Sequence, residues 1–79
     1  MALKLIEAHV DASLADDAEE TLSTFASHTW QEEGGRHGVL VRAVVGAARS
    51  GTALDALHDR IAERGRLTVL VSSLDAVLP

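Results

Sequence analysis

Few residues in this chain are of a type and spacing that could do chemistry. Its four histidines, His9, His28, His37 and His58, are the first to consider. Zinc ligands recur at short fixed spacings and are commonly joined by cysteine thiolates, whereas these histidines lie 19, 9 and 21 positions apart and the chain has no cysteine. They do not assemble into a metal-ligand pattern. The Gly34-Gly35-Arg36-His37-Gly38 loop could cradle an anion with its backbone amides, but it leads into a β-branched run and not into a helix. It therefore lacks the helix N-terminus that phosphate loops use, and it reads as a hairpin turn. No Ser, His and acid grouping has the context of a nucleophile elbow, and no carboxylate pair stands out for acid and base work. The chain is expected not to be an enzyme and to carry no cofactor.

One charged pair remains. Glu7 lies in the apolar run Leu3 to Val10 and Arg42 in the run Val39 to Val45. Side chains alternate between faces along a strand, so Glu7 shares a face with Leu5 and His9, and Arg42 shares one with Leu40 and Val44. If the two strands are neighbours, Glu7 and Arg42 can pair across them. Leu5, Glu7, His9, Leu40, Arg42 and Val44, with Trp30 at the sheet edge, are then the candidate interface residues. They describe a surface for binding, with no reacting group among them.

The elements that would position this surface can be taken in order. Leu3 to Val10 is a strand whose other face, Ile6, Ala8 and Val10, is apolar. Asp11-Ala12-Ser13 offers caps, and Ser13 with Asp16 three residues on resembles a capping box. A helix is predicted over 14–28, with Leu14, Ala18, Leu22, Phe25 and Ala26 as its apolar stripe and four acids in its first turns. His28 would close it, where a cation suits the dipole. Thr29 to Glu33 is a short polar strand of the kind found at a sheet edge. The Gly-rich turn leads to the central strand, where Val39, Val41, Ala43 and Val45 face the helices. Gly46 to Gly51 is predicted as a connection. A second helix over 52–64 would be capped by Ser50 or Thr52, carry Leu54, Leu57 and Ile61 inward, and end at a left-handed Gly65. Its His58, beside Asp55 and Asp59, would be solvated. Arg66 to Ser73 is the last strand and 74–79 a short tail.

That order is an α+β, ferredoxin-like βαββαβ sandwich, with two helices on one face of a four-stranded antiparallel sheet of order 4-1-3-2. The whole of 1–79 reads as a single domain. Seventy-nine residues lie near the lower limit for folding without staples. With one Trp, one Phe and no Tyr, the core must be aliphatic and thin.

Composition narrows the partners. A net charge of -5 with scattered arginines and one lysine argues against nucleic acid, since phosphate binding needs clustered cations. The acids Asp16, Asp17, Glu19 and Glu20 read as an ordinary solvated helix face. No run approaches the ~20 apolar residues that span a bilayer. The beginning, broken by Lys4 and Glu7, does not read as a signal peptide. A soluble, cytoplasmic chain is expected. Its uncovered sheet face calls for a partner, a homo-oligomer in the first place.

Four phrases carry a family resemblance: the opening Leu-Lys-Leu-Ile-Glu-Ala-His-Val, the strand Val-Leu-Val-Arg-Ala-Val, the helix Ala-Leu-Asp-Ala-Leu-His-Asp-Arg, and the closing Leu-Thr-Val-Leu-Val-Ser-Ser-Leu-Asp-Ala-Val-Leu-Pro. Together they resemble the soluble N-terminal domain of the prokaryotic membrane proteins grouped as "domain of unknown function 389", the uncharacterised hydrophobic domain family. There a ferredoxin-like, ACT-like domain of this length precedes a multi-pass membrane region, and Asp75 stands where an acid is typical before the closing Leu-Pro. The resemblance implies a regulatory, sensing or oligomerising module, with the membrane domain of the same parent protein as a further partner. ACT-like domains bind small molecules between paired copies, which by analogy directs attention to the Asp11-Ala12-Ser13 loop and the start of the second helix.

Overall fold

A computed structural model describes residues 2–36 and 38–75. Strand β1 (Leu3–Asp11) runs into a single 3₁₀ turn (Ala12–Leu14) and helix α1 (Ala15–Ser23). Strands β2 (Ala26–Glu33) and β3 (Gly38–Gly46) form a hairpin. Helix α2 (Ala47–Ile61) and strand β4 (Leu67–Leu74) complete the chain. All pairings are antiparallel, and the sheet order is β2-β3-β1-β4, the expected 4-1-3-2 read from the other edge.

The layers follow from the alternation of side chains. Ile6, Ala8 and Val10 of β1 stand opposite Ala43, Val41 and Val39 of β3, so these residues share one face. Both helices cover that face. Ala15, Ala18 and Leu22 of α1 and Ala53, Leu57 and Ile61 of α2 are buried against Ile6, Ala8, Val10, Val41, Ala43 and Val45. Each fully buried Leu, Ile or Val contributes about 1.5–3 kcal/mol relative to exposure. Two arginines tie the helices to each other. Arg60 reaches Asp17 at 3.4 Å and Glu20 at 3.1 Å, and Arg64 reaches Asp17 at 2.7 Å.

Element boundaries depart from the sequence-based expectation at both helices. Helix α1 ends at Ser23 and β2 begins at Ala26, so Phe25, Ala26 and His28 leave the predicted helix. Ser23, Thr24 and Thr29 are weak helix formers, and extending β2 lets Ala26 to Glu33 pair along β3. His28 therefore closes no helix. Nor does Ser13 cap one: Leu14 is the N-cap and makes no side-chain cap bond. The Asp11 carboxylate accepts a hydrogen bond from Arg66 N at 3.0 Å, which pins the start of β4 to the end of β1.

Helix α2 starts at Ala47, directly after β3, so the predicted connection over 46–51 is its first turn. Gly46 is the N-cap without a side-chain bond, and Ser50 donates to Ala47 O at 2.8 Å instead of capping. Gly65 is not left-handed; among the described residues only Gly35 has a positive φ, 104°, in the hairpin turn. Gly65 is small because a side chain there would meet Leu14 Cδ1 at 2.8 Å. The last strand runs one residue further than expected, to Leu74. The remainder of the predicted tail, 76–79, and the placement of His37 lie outside the described residues.

The open sheet face as candidate functional site

The face without helices is built from cross-strand rows, which the register defines. One row reads Trp30, Arg42, Glu7, Leu70 across β2, β3, β1 and β4. The row on one side of it is His28, Val44, Leu5, Ser72, and that on the other is Glu32, Leu40, His9, Thr68. The seven residues singled out from the sequence thus lie together on this face, with Glu7 directly opposite Arg42. A β-bulge at Ser27 aligns β2 with the rows. It lets β2 advance two residues, from Ala26 to His28, while β3 advances one, and so turns His28, Trp30 and Glu32 to the open face. Ser27 Oγ reaches Val44 O at 3.4 Å there.

Arg42 is held from two sides. Its Nε donates to Glu7 Oε2 at 3.0 Å and its Nη1 to Glu32 Oε2 at 2.8 Å. Trp30 Nε1 donates to the other Glu32 oxygen at 3.1 Å, so the indole lies fixed beside the ion pair. The hydrogen bond to Glu7, with both carboxylate charges, raises the Arg42 pKa above its ordinary value. The guanidinium is committed to two acids, and the cluster has a net charge of one negative. It is suited to specifying a contact, since a partner must respect this charge pattern, and it is unsuited to gripping an anion.

Burial divides the face. Leu40 and Val44 are 7% and 4% exposed within one copy, covered by the long side chains around them. Leu5, Glu7, His9 and Arg42 are half-buried, and Trp30 is 37% exposed. Apolar area open to solvent therefore comes from Trp30 and from Leu70, which is 57% exposed. Sequence reasoning missed Glu32 and Leu70. The signal for Leu70 was the alternation in Leu-Thr-Val-Leu-Val-Ser-Ser; nothing in the sequence marked Glu32, because its facing depends on the bulge.

Two other places were candidates. The Asp11-Ala12-Ser13 loop and the start of α2 lie at opposite ends of the sheet, since Asp11 pairs with Gly38 while Gly46 pairs with Leu3. Within one copy they cannot share a ligand. At the start of α2, Ala2, Gly46, Ala47, Ala48 and Arg49 line a shallow, apolar depression. The Arg49 guanidinium turns to the Phe25 ring, 5.3 Å from its centroid, and to Thr24 O at 3.4 Å. Among the described residues no group of three or more His, Cys, Asp or Glu could hold a metal, and no helix is long and apolar enough to cross a membrane. His58 is solvated, 3.9 Å from Asp59.

No family model matches the chain, and no curated protein matches it by sequence. The resemblance to the domain of unknown function 389 thus remains a likeness of short phrases. Solved structures match over almost the whole length. A putative PII-like signaling protein from Thermus thermophilus gives a TM-score of 0.78 at 15% identity, covering 94% of this chain and 87% of that one. A nitrogen regulatory PII-like protein, CPII, from Thiomonas intermedia, solved bound to ADP, AMP and bicarbonate, gives 0.75 at 16% identity, covering 94% and 89%. A DUF3240 family protein from Shewanella baltica gives 0.75 at 16% identity, covering 96% and 94%. At such identities the likeness is one of fold, and the fold is ferredoxin-like.

Proposed function

We propose that the chain is a non-catalytic regulatory module that self-associates through its open sheet face and responds to a small ligand. The observation that carries this reading is the face itself. Leu5, Glu7, His9, Trp30, Leu40, Arg42 and Val44 form one ordered surface with a fixed charge row, in which the Glu7 and Glu32 carboxylates are both paired with Arg42. Such a surface selects a partner and performs no reaction. The ligand part of the reading draws on fold alone, since one structure of similar fold is a regulatory protein bound to ADP, AMP and bicarbonate. In a parent protein the module would regulate whatever domain it adjoins, a membrane region by the family resemblance.

Two measurements test it. A thermal-shift series with ADP, AMP and bicarbonate addresses the ligand: a ligand at 100 times its Kd adds about 2.7 kcal/mol, which for a domain of this size raises Tm by about ten degrees or more. Absence of any shift across the series overturns the ligand reading. Sedimentation addresses the association. The unmodified protein is expected to be larger than a monomer, and Trp30→Glu, which changes a side chain already exposed, is expected to reduce it. An unchanged assembly in Trp30→Glu overturns the open face as its interface.

A further inference from the structure

The two edges of the sheet are built differently. Edge β2 is protected in the usual ways: it carries Glu32 and Glu33, a bulge at Ser27, and polar side chains at six of its eight positions. Edge β4 lacks the charges and the bulge. Leu67 to Leu74 contains no charge, proline or bulge, and its register with β1 is unbroken from Leu67 to Leu74. Among the described residues only the β1 side of β4 is paired, and α1 and α2 pack mainly on the other three strands, with Leu67 and Val69 of β4 at the margin of the core. Leu70 and Val71, 57% and 43% exposed, are neighbours on this strand and point to opposite faces. An eight-residue edge with open backbone donors and acceptors and apolar side chains on both faces is a template for another strand.

We infer that β4 pairs antiparallel with β4 of a second copy, extending the sheet to eight strands. Charge selects this occupant. Two copies of a chain with net charge -5 repel one another, and β4 is a strand along which they can meet without opposing like charges. The strand begins after Arg66 and ends before Asp75. Antiparallel pairing sets the cation of each copy near the acid of the other.

Symmetry also restricts the register. A two-fold axis perpendicular to the sheet keeps both helix layers on one side, so opposed residues must share a face. Centring on Leu70 places Leu70 opposite itself on the open face and Val69 opposite Val71 of the second copy on the helix face, twice. Thr68 then meets Ser72 and Leu67 meets Ser73. Centring on Val71 would set Leu67 against Asp75 and Leu70 against Ser72, a poorer match. The inference rests on the edge and is independent of the regulatory reading.

The chain has no cysteine, so introduced thiols report without background. Directly opposed residues of an antiparallel pair have Cβ atoms about 4.5–5.5 Å apart, within a small adjustment of disulfide geometry. Val69→Cys and Val71→Cys proteins, mixed and mildly oxidised, should give a disulfide-linked heterodimer, while each alone should give much less. Both positions are on the helix face, where association through the open face cannot join them. Val71→Lys should be folded, by circular dichroism and urea unfolding, and should sediment as a smaller species than the unmodified protein. An unmodified protein that stays monomeric at high micromolar concentration overturns the inference. So does an assembly that neither cross-links in the mixture nor becomes smaller in Val71→Lys.

Discussion

Replacing Leu40 by alanine separates what one copy buries from what association would bury. Leu40 lies on the face without helices, yet it is only 7% exposed. It stands between Glu32 on β2 and His9 on β1, with Arg42 and Gly38 on its own face of β3. Leu40 is covered within one copy, so Leu40→Ala removes buried methyl and methylene groups from a folded monomer. Leucine-to-alanine changes in cores cost about 2–5 kcal/mol, more where the cavity cannot collapse. The site has partly exposed neighbours and solvent nearby, so the low end, about 2–3 kcal/mol, is expected. Leu57→Ala, fully enclosed between α2 and the sheet, is the internal reference and should fall at about 3–5 kcal/mol. Against a total stability of roughly 4–12 kcal/mol for this length, Leu40→Ala stays folded throughout that range, and Leu57→Ala does so where the total exceeds about 5 kcal/mol. The assay is urea unfolding by circular dichroism at two protein concentrations, with the slope checked for constancy. A cost for Leu40→Ala below about 1 kcal/mol at the lower concentration, where any assembly has dissociated, would refute monomeric burial. Leu40→Asp should unfold the domain and not yield a folded monomer, because it buries a carboxylate opposite Glu32.

Other expectations are narrower. Gly51 lies inside α2 with open space where a Cβ would stand, so Gly51→Ala should stabilise by about 0.5–1 kcal/mol in thermal or urea unfolding. Gly34→Ala should destabilise, since its Cβ would stand 2.8 Å from backbone atoms of Val39 and Leu40, and the same assay compares the pair. The hydrogen bond from Arg64 holds the Asp17 carboxyl below its ordinary pKa of 3.8, helped by the charges of Arg64 and Arg60. A depressed folded-state pKa gives stability that is complete above the unfolded value and is lost as pH falls through the folded one. Stability measured from pH 6 downward should therefore decline below about pH 4 more steeply in the unmodified protein than in Asp17→Asn. High salt should reduce that difference.

Much of the fold was legible in the residues themselves. Alternation along Leu3 to Val10 and Val39 to Val45 sorts side chains between two faces whatever the rest of the chain does, because a strand has a period of two. The pairing of Glu7 with Arg42 followed from that parity once β1 and β3 were neighbours, and βαββαβ order with right-handed crossovers made them so. The inward spacing of Ala18 and Leu22 in the first helix and the polar character of Thr29 to Glu33 in β2 were equally local.

What only the tertiary structure decided concerns competition between elements. Phe25, Ala26 and His28 fit a helix by spacing, but pairing with β3 competes for the same backbone and wins beyond Ser23. Gly46 to Gly51 looks like a loop by glycine content, yet α2 begins at Ala47, where its backbone bonds to Ala2 O at 3.0 Å. Which residues of β2 join the open face depends on one extra residue at Ser27, and so does the second carboxylate on Arg42. The burial of Leu40 arises from side chains of three strands brought together by the register. In an unbulged strand local alternation fixes which face a residue occupies; how much of that face is covered depends on neighbours distant in the chain, and no window of sequence contains them.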